Sequence, residues 1–387
     1  MSHCIPLIEE FMKIELQQIK TGFTGEFCYT HARAGMSPEG RVWLTTQPLL
    51  LEGCDVFYGM QTLVSSDRGR TFSGFRKSAA LIRQVVEGGM EDAFCDATPL
   101  FCKKSGKTIL LGHTARYLNN KLAPNPRRRF TAWSVWDEAA GDWTPYRHLE
   151  MPDTEAFYSC GNGCGQSYEL PDGDLLIPVY NASLEESRKA DGCYAAMVLR
   201  CGFDGENLWV KELGSPLHCP VPRGFCEPSI TAYGGIYFLA LRNDVTGYVA
   251  WSSDGMHYSD PVELSFDDGE NAGNYNTQQH WITGGGNLYM VYTRRGAGND
   301  HVFRHRAPLF IAEFDPEKMV LIRSTEQIAV PERGARLGNF GCLHVSDHES
   351  WVIASEWMQT TAPDHYNYRR CMSYGSDNSI FIARITW

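Results

Sequence analysis

The stretch Ser65-Ser66-Asp67-Arg68-Gly69-Arg70-Thr71-Phe72 is the part of the sequence that decides the fold. It reads S-x-D-x-G-x-T-aromatic, and each fixed position has a structural reason. Ser and Asp side chains hydrogen-bond backbone amides within tight turns. Gly69 tolerates the positive φ that such a turn requires. Thr71 and Phe72 then begin a new strand, so the stretch predicts a β-hairpin whose aromatic side chain lies beneath the turn.

The composition is that of a globular chain with many turns. Of 387 residues, 43% are hydrophobic and 12% are aromatic, and 37 glycines and 19 prolines favour turns over long helices. The net charge of −11 leaves no basic surplus to neutralise phosphates, so we expect no nucleic-acid partner. The one dense basic run, Arg127-Arg128-Arg129, is interpreted as a solvated loop.

The sequence shows no sign of secretion or of a membrane anchor. Residues 1–20 contain Glu9, Glu10 and Glu15 and lack the basic and then apolar pattern of a signal peptide. No apolar run approaches the ~18 residues that span a bilayer. Thirteen cysteines without CxxC pairs favour reduced thiols. We therefore expect a cytoplasmic protein without a membrane partner, and the sequence leaves its oligomeric state open.

Short apolar runs recur at a nearly constant period. The first strand of each unit is predicted to begin near Tyr29, Phe94, Gly163, Phe225, Asn276 and Gly338, at intervals of 65, 69, 62, 51 and 62 residues. Such an interval accommodates four antiparallel strands with their loops, and units repeated radially build a β-propeller. We predict an all-β fold with one propeller domain over residues 1–387 and six blades. Seven blades are the alternative, with the extra blade between residues 357 and 378.

The sequence also predicts the second and third strands of the units. Second strands are predicted at residues 41–44, 107–111, 174–177, 236–239, 287–292 and 351–354, and third strands at 62–64, 132–136, 196–199, 249–251 and 309–312. The last unit shows three strands and ends at residues 381–385. We predict that the N-terminal segment 14–19 supplies its fourth strand and closes the ring.

The first strands of a propeller converge on a central funnel, so polar residues on these strands and their loops are expected to meet there. The candidates are His31, Arg33, Asp55, Asp96, His113, Arg116, Tyr117, Asn162, Gln166, Tyr168, Arg223, Glu227, Arg242, Gln278, Gln279, His280, Arg294, Arg295, His301, Arg304, His305, Arg306, Arg336, Asn339, His344 and Glu356. A net-acidic protein that concentrates arginine in its funnel is expected to hold an anion, because guanidinium pairs bidentately with carboxylate.

The stretch from Ser65 to Phe72 resembles the Asp-box hairpin of sialidase-like β-propellers, with Phe72 in place of the usual tryptophan. Imperfect copies of this motif occur at residues 252–258 and 142–144. The first strand, residues 29–33 followed by a P-x-G turn, is similar to the opening strand of sialidases. The resemblance implies that Arg33 begins the carboxylate-binding arginine triad, although His31 fits the spacing equally.

The same resemblance implies further roles. Asp55, ten residues before the box, stands near the position of the sialidase acid/base aspartate. Glu227 and Arg242 match the glutamate strand and the second triad arginine. Arg304 or Arg306 would be the third arginine. The sialidase nucleophile, a tyrosine on the first strand of the last blade, has no counterpart, because that strand carries Phe340.

The chain also resembles propeller lyases and hydrolases of rhamnose–glucuronate glycans, such as ulvan lyases, which depend on histidine and tyrosine. His113 and Tyr117 are four residues apart and would face one side of a strand as base and acid. His280 is the other candidate, as a partner or as a substrate-binding residue with Tyr168. In this mechanism arginine neutralises a uronate carboxylate, and a base removes the C5 proton.

The sequence therefore predicts a carbohydrate-active enzyme whose partner is an acidic oligosaccharide. In the first hypothesis it hydrolyses an exo-linked sialic or uronic acid, with Arg33, Arg242 and Arg306 as the clamp, Asp55 as the acid and Glu227 activating a nucleophile. The alternatives are β-elimination at a glucuronate and a non-catalytic sugar-binding propeller. No cofactor or metal is predicted. The zinc alternative left open is Cys342 and His344 with His280 or His301.

Overall fold

The computed structural model of the protein describes residues 12–53, 55–189 and 191–387. The fold is an all-β propeller whose strands form six antiparallel sheets. The chain begins with β1 (Lys13–Ile19). The first sheet then contains β2 (Phe27–Met36), β3 (Val42–Leu50), β4 (Gln61–Ser65) and β5 (Arg76–Lys77). The second contains β6 (Gln84–Val85), β7 (Glu91–Cys102), β8 (Lys107–Leu118), β9 (Lys121–Leu122), β10 (Thr131–Asp137), β11 (Asp142–Trp143) and β12 (Arg147–His148).

The remaining sheets follow in chain order. The third contains β13 (Ser159–Gly161), β14 (Tyr168–Glu169), β15 (Leu175–Ala182), β16 (Ala195–Phe203) and β17 (Leu208–Leu213). The fourth contains β18 (Cys226–Tyr233), β19 (Ile236–Arg242), β20 (Gly247–Ser252) and β21 (Val262–Glu263). The fifth contains β22 (His280–Gly284), β23 (Asn287–Tyr292), β24 (Leu309–Asp315), β25 (Val320–Leu321) and β26 (Gln327–Val330). The sixth contains β27 (Gly341–Ser346), β28 (Glu349–Ser355) and β29 (Ile380–Thr386), and β1 pairs with β29.

Helices contribute little to the architecture. The two α-helices are short, α1 (Leu184–Arg188) and α2 (Tyr368–Ser373), and 3₁₀ turns occur at Glu87–Gly89, Phe303–His305 and Arg323–Thr325. In the described part of the chain, no helix has the length and apolar character needed to cross a membrane.

The sheets contact one another in a closed ring. Each sheet touches the next through its first strand, and β2 of the first sheet also touches β27 and β28 of the sixth. The apolar core is divided accordingly into clusters between neighbouring sheets. One such cluster joins Ile109 and Trp133 of the second sheet to Ile177 and Leu199 of the third. Because burial of a large apolar side chain contributes roughly 1.5–3 kcal/mol, these clusters hold the ring together.

The predicted second and third strands coincide with observed strands of the corresponding sheets, except that Arg41 and Asp174 each precede the observed strand by one residue. Residues 14–19, predicted as the fourth strand of the last unit, lie within β1, which pairs antiparallel with β29 from Lys13–Thr386 to Ile19–Ile380. The interval 357–378, considered for a further blade, carries α2 and isolated bridges at Trp357 and Thr360.

The opening stretch forms the predicted turn, but the strand expected to begin at Thr71 begins only at Arg76, the first residue of β5. The Ser65 hydroxyl accepts from the Gly69 amide at 2.8 Å and donates to the Asp67 carboxylate at 2.7 Å. Asp67 in turn accepts from the Thr71 amide and hydroxyl at 2.9 and 2.6 Å, and Gly69 has a φ of +70°. Ser252 and Asp254 repeat the arrangement in the fourth sheet. The turn therefore has the geometry that its residue types predict.

The first strands also line an axial cavity of about 1140 Å³. Its walls include one or more residues from every sheet: Ala34, Thr98, Gln166, Ile230, Thr283 and Cys342. These residues follow His31, Asp96, Cys164, Glu227, His280 and Asn339 in their sheets, and the predicted funnel candidates Gln166, Tyr168 and His344 line this cavity instead. The cavity therefore lies at the opposite end of the first strands from the site described next.

Candidate active site

The first strands share a backbone irregularity at one level of the ring. A residue with positive φ occurs there in five sheets: His31 (57°), Asp96 (56°), Cys164 (60°), Glu227 (47°) and Asn339 (66°). In three of them a β-bulge breaks the ladder at the same place, between Thr30 and Arg33, Cys95 and Thr98, and Cys226 and Ser229. Positive φ in residues other than glycine is uncommon and costs roughly 1–3 kcal/mol, and such strain clusters at functional sites.

The bulges bring side chains of different sheets together. Asp96 of the second sheet lies with its Oδ1 2.6 Å from His31 Nδ1 of the first, and with its Oδ2 3.1 Å from His113 Nε2. The thiol of Cys164, on the third sheet, donates to Asp96 at 3.1 Å. The buried carboxylate of Asp96 and its three partners, His31, His113 and Cys164, are called the carboxylate network below.

The protonation of the carboxylate network follows from its contacts. Burial opposes ionisation of Asp96, but the neighbouring His31 and His113 hold the pKa of its carboxyl well below the usual range. His113 Nδ1 accepts from the Gly163 amide at 3.1 Å, which leaves the proton on Nε2, facing Asp96. Burial, with the nearby charge of Arg129, lowers the pKa of His113. The network is therefore an ionised carboxylate beside a neutral His113.

On the other side of the funnel three guanidinium groups converge on one neutral oxygen. Asn276 Oδ1 accepts from Arg242 Nη2 at 2.8 Å, from Arg304 Nη1 at 3.2 Å and from Arg306 Nη2 at 3.2 Å. Arg306 also donates to the backbone oxygen of Asn276 and, at 3.2 Å, to Asn339 Oδ1. We call Arg242, Arg304 and Arg306 the arginine clamp.

The clamp has one acidic partner within the funnel. Glu227 Oε1 accepts from Arg242 Nη1 at 2.5 Å, while the buried Oε2 has no hydrogen-bond partner. Burial opposes the charge of Glu227, yet Arg242 and Arg306 lower its pKa below the ordinary value. Asp244 pairs with Arg242 at 3.2 Å and with Arg223 at 3.2 Å nearer the surface.

Arg306 is the least compensated charge of the clamp. Its side chain is buried and forms no ion pair with any described residue. Burial, together with Arg336, Arg242 and Arg304, lowers its pKa well below the usual range. Arg304 stands at the exposed mouth, where burial and Arg242 lower its pKa while Asp244 and Asp55 oppose the shift. Asp55 therefore lies within electrostatic range of Arg304, and it also lies near Arg127 and Tyr117 of the second sheet and its loop.

Asn339 links the two sides. Its Oδ1 accepts from Arg306, and its Nδ2 lies 2.7 Å from His31 Nε2. Because Nε2 accepts this bond, the His31 proton is placed on Nδ1, which faces Asp96. The funnel thus contains a continuous polar path from the clamp through Asn339 and His31 to Asp96.

Arg33 and His280 lie in a layer beneath the funnel rather than in it. Arg33 is fully buried and donates to the backbone oxygens of Phe340 at 3.2 Å and Asn339 at 3.1 Å. His280 Nε2 contacts the same Phe340 oxygen at 3.1 Å, and its Nδ1 contacts the Ser229 hydroxyl at 2.8 Å. Burial and Arg33 lower the pKa of His280 to about 3. Both side chains bind backbone oxygens or hydroxyls below the funnel, so Arg33 does not join Arg242 and Arg306, with which it was predicted to act.

Phe340, which stands at the position expected for the sialidase tyrosine, does not enter the funnel. Its ring is fully buried in an apolar cluster between the fifth and sixth sheets and packs edge-on against His280, with ring centroids 4.9 Å apart. The side chain that enters the funnel from this strand is Asn339. The strand therefore presents an amide, and no phenol, where sialidases present tyrosine.

Tyr117 and Tyr168 lie outside the funnel. The Tyr117 hydroxyl donates to the Asp55 backbone oxygen at 2.7 Å and accepts from the Phe57 amide at 3.0 Å, and its side chain is fully buried. It therefore fixes the loop that carries Asp55. Tyr168 packs against Tyr237 and lines the axial cavity at the opposite end of the first strands.

One group of possible metal ligands occurs among the described residues, Cys95 with Asp96 and His113, whose ligand atoms lie within 4.8 Å of one another. The partners of Asp96 already satisfy its oxygens. The residues considered for zinc are separated, because His344 contacts the Thr283 backbone and His280 lies in the layer beneath the funnel.

Some residues of the site had no role assigned from the sequence. Asp96 and Asn339 were named only as funnel candidates, and Asn276 was not named as a site residue. A local signal exists for part of the set: the positive-φ residues His31, Asp96, Cys164 and Glu227 are each followed by Ala, Gly or Pro. A small or proline residue leaves room for the bulge. This signal becomes useful only once the repeat has been aligned.

No protein-family model and no curated protein matches the chain. A protein of unknown function from Dyadobacter fermentans has a similar structure at 13% identity, with 96% of this chain and 99% of that chain covered and a TM-score of 0.62. Trypanosoma rangeli sialidase, solved as a covalent intermediate with 2,3-difluorosialic acid, is similar at 14% identity, 96% and 58% coverage and a TM-score of 0.61.

The NanB sialidase of Streptococcus pneumoniae gives 13% identity, 98% and 71% coverage and a TM-score of 0.61. The fold is sialidase-like. Since the chain spans 58% of the trypanosomal enzyme and the identities are this low, the likeness concerns the propeller alone.

Proposed function

We propose that the protein is a carbohydrate-active enzyme that hydrolyses a glycoside of an acidic sugar, a sialic or uronic acid, whose carboxylate binds to the arginine clamp. The observation that carries the proposal is the convergence of Arg242, Arg304 and Arg306 on Asn276 Oδ1. Three cations around one neutral oxygen repel one another. A substrate carboxylate would accept from the same donors and supply the missing negative charge.

Burial strengthens this argument. Arg242 and Arg306 are only 4% and 3% exposed, so water screens their charges poorly. A charged side chain at such depth is normally paired, and Arg242 has Glu227 whereas Arg306 has neutral oxygens. The carboxylate is therefore expected to bind nearest to Arg306.

Glu227 and His31 are the proposed proton-transfer groups. The unpartnered Oε2 of the ionised Glu227 can accept a proton from water that attacks the anomeric carbon. After substrate displaces the Asn339 contact, His31 Nε2 can take up a proton from solvent, which gives an imidazolium that the ionised Asp96 stabilises at Nδ1, and can pass that proton to the leaving oxygen. Asp55, within electrostatic range of Arg304, is the alternative acid. With Phe340 in place of tyrosine, a covalent tyrosine intermediate is not part of the proposal.

A propeller with one blade for each sheet would place all the first strands around this funnel. We infer that each of the six sheets is one blade, that residues 1–387 form one propeller domain and that β1 closes the ring on β29. Support comes from the closed series of sheet contacts and from the β1–β29 pairing.

The test is a panel of aryl glycosides that share one leaving group: an α-sialoside, a β-glucuronide, an α-galacturonide, their methyl esters and the neutral hexosides. We expect cleavage of an acidic member and at least about tenfold weaker cleavage of its ester, because a charged hydrogen bond contributes about 1.5–3 kcal/mol. Equal rates for acid and ester would refute the carboxylate clamp. The variant Arg147→Gln is the matched control, since Arg147 stacks on Trp133 outside the funnel.

β-Elimination at a glucuronate stays the second candidate, because the His31–Asp96 pair is a general base that needs no tyrosine. An elimination mechanism with His113 as base and Tyr117 as acid is less well supported. Both ring nitrogens of His113 contact protein groups, and the buried Tyr117 hydroxyl donates to the Asp55 backbone oxygen outside the funnel. Elimination forms an unsaturated uronate that absorbs in the ultraviolet, whereas hydrolysis does not. Complete cleavage without this absorbance excludes the lyase, and binding without any cleavage indicates a sugar-binding propeller.

A further inference from the structure

The basic run Arg127-Arg128-Arg129 differs from its interpretation as a solvated loop. All three side chains are half-buried. Arg129 stacks its guanidinium on the rings of Tyr180 and Tyr194, with 5.2 and 5.8 Å to the ring centroids. The two rings pack edge to face at 5.3 Å, which gives the cation a fixed aromatic support.

This arginine stands beside the carboxylate network, between the second and third sheets. The Tyr180 hydroxyl lies 3.4 Å from His113 Nδ1, and the Arg129 charge contributes to the lowered pKa of His113. The arginine clamp, in contrast, is built from residues of the fourth sheet and of the loops around the fifth. Cations therefore flank the catalytic candidates on two sides of the funnel.

The charge on this second side has no ion-pair partner among the described residues, although Asp55 lies within electrostatic range of Arg127 and opposes the lowering of its pKa. Within the described part of the chain neither Arg127 nor Arg129 forms an ion pair, and the Arg129 guanidinium donates no hydrogen bond. Arg127 Nη1 donates to the Ala123 backbone oxygen at 2.8 Å. Burial and the neighbouring charge of Arg129 lower the pKa of Arg127. Two neighbouring guanidinium groups without an ion-pair partner among the described residues, one of them near His113, have the donors that an oxyanion site requires.

We propose that Arg127 and Arg129 form a second anion subsite, which binds a further carboxylate or sulfate group of the same saccharide. The identity of the ligand as a saccharide rests on the proposed function, whereas the anion subsite itself does not. The substrate class that follows is an acidic oligosaccharide with at least two negative groups, one on each side of the scissile bond.

Selenate, a tetrahedral oxyanion with an anomalous signal, is the probe. Crystals of the full chain are soaked in selenate, and anomalous maps are compared for the wild type, Arg129→Gln and Arg306→Gln. Calorimetric titration with selenate at low ionic strength then measures the affinity of each site. We expect one peak within hydrogen-bond distance of Arg129 and one at Arg306, with Arg129→Gln losing the first and Arg306→Gln the second. The affinity at the lost site should fall about tenfold or more.

The outcomes separate the two proposals. A peak at Arg306 and none at Arg129 in the wild type overturns the second subsite and leaves the clamp. A peak at Arg129 without one at Arg306 supports the subsite and counts against the clamp, and no peak at either overturns both. Arg129→Lys keeps the positive charge but loses the planar guanidinium with its paired donors. This variant should therefore bind selenate more weakly than the wild type and more tightly than Arg129→Gln. Arg147→Gln, an aromatic-stacked arginine elsewhere, should change neither peak.

Discussion

The two sides of the funnel differ in the buried charge that they carry and in how that charge is compensated. On the clamp side, three guanidinium groups surround one neutral amide oxygen of Asn276. On the other side, the ionised carboxylate of Asp96 is surrounded by two imidazoles and a thiol. The carboxylate network is complete without a ligand, whereas in the clamp Arg242 is paired with Glu227 but Arg304 and Arg306 have no ion-pair partner among the described residues. The difference indicates that the clamp recognises substrate and that the network positions a group for proton transfer.

The largest expected effect comes from the carboxylate network. Asp96→Asn keeps the shape of the side chain but removes the charge that faces His31 Nδ1. Because positioned acid–base groups contribute roughly 10²–10⁴-fold, we expect kcat to fall within this range and KM to change little. Steady-state kinetics on the acidic substrate measure both. Unchanged binding of the free acidic sugar in calorimetry shows that the variant is folded, and a wild-type kcat would remove Asp96 from the mechanism.

The next effect concerns the clamp and should show the reverse pattern. Arg306→Gln removes the buried cation that lacks an acidic partner. We expect KM for the acidic substrate to rise about 10- to 100-fold, since a hydrogen bond to a charged group contributes about 1.5–3 kcal/mol. The affinity for the methyl ester should stay nearly constant. If acid and ester weaken equally, Arg306 acts on the fold of the funnel and not on the carboxylate.

A third effect sharpens the distinction between the funnel and the layer below it. His280 has its pKa lowered to about 3, so the unfolded chain, with a histidine pKa near 6.5, binds the proton more readily. Its contribution to stability is therefore full above about pH 6.5 and is lost as pH falls toward 3, by about 1.4 kcal/mol per pH unit.

Urea denaturation at pH 7 and pH 5 measures this dependence. His280→Gln should be less stable than the wild type at pH 7 and should lose less stability between the two pH values. Equal slopes for variant and wild type would show that His280 is accessible to protons in the folded state.

The smallest effect is expected at Tyr117. Tyr117→Phe leaves the Asp55 backbone oxygen and the Phe57 amide without their partner. We expect the free energy of unfolding to fall by about 1–3 kcal/mol, while kcat on the acidic substrate changes less than about twofold. A loss of kcat comparable with that of Asp96→Asn would instead support a catalytic role for Tyr117.

The repeat was readable from the sequence because each strand carries its own apolar pattern. The turn at Ser65–Phe72 and the pairing segment at residues 14–19 depend on local residue types, and both appear in the structure as such. The joint placement of Glu227 and Arg242 was also predictable, since both lie on neighbouring strands of one sheet.

The positions that the sequence did not resolve depend on backbone detail. A single bulge moves a side chain from one face of a strand to the other. For this reason His31 enters the funnel while Arg33 does not. In the sixth sheet Asn339, whose φ is +66°, enters the funnel while the adjacent Phe340 is buried. Asn276 and Arg129 reach the funnel from loops, whose course apolar periodicity does not predict.

A titration that pairs an acidic monosaccharide with its methyl ester tests the central claim most directly. N-acetylneuraminic acid and glucuronic acid are each compared with the ester by calorimetry, and the tighter ligand is then soaked into crystals. The account predicts that one acid binds at least about tenfold more tightly than its ester, with its carboxylate at hydrogen-bond distance from Arg242 and Arg306 and the Asn276 contact displaced. Equal affinity of acid and ester, or a sugar bound in the axial cavity near Tyr168, would contradict it.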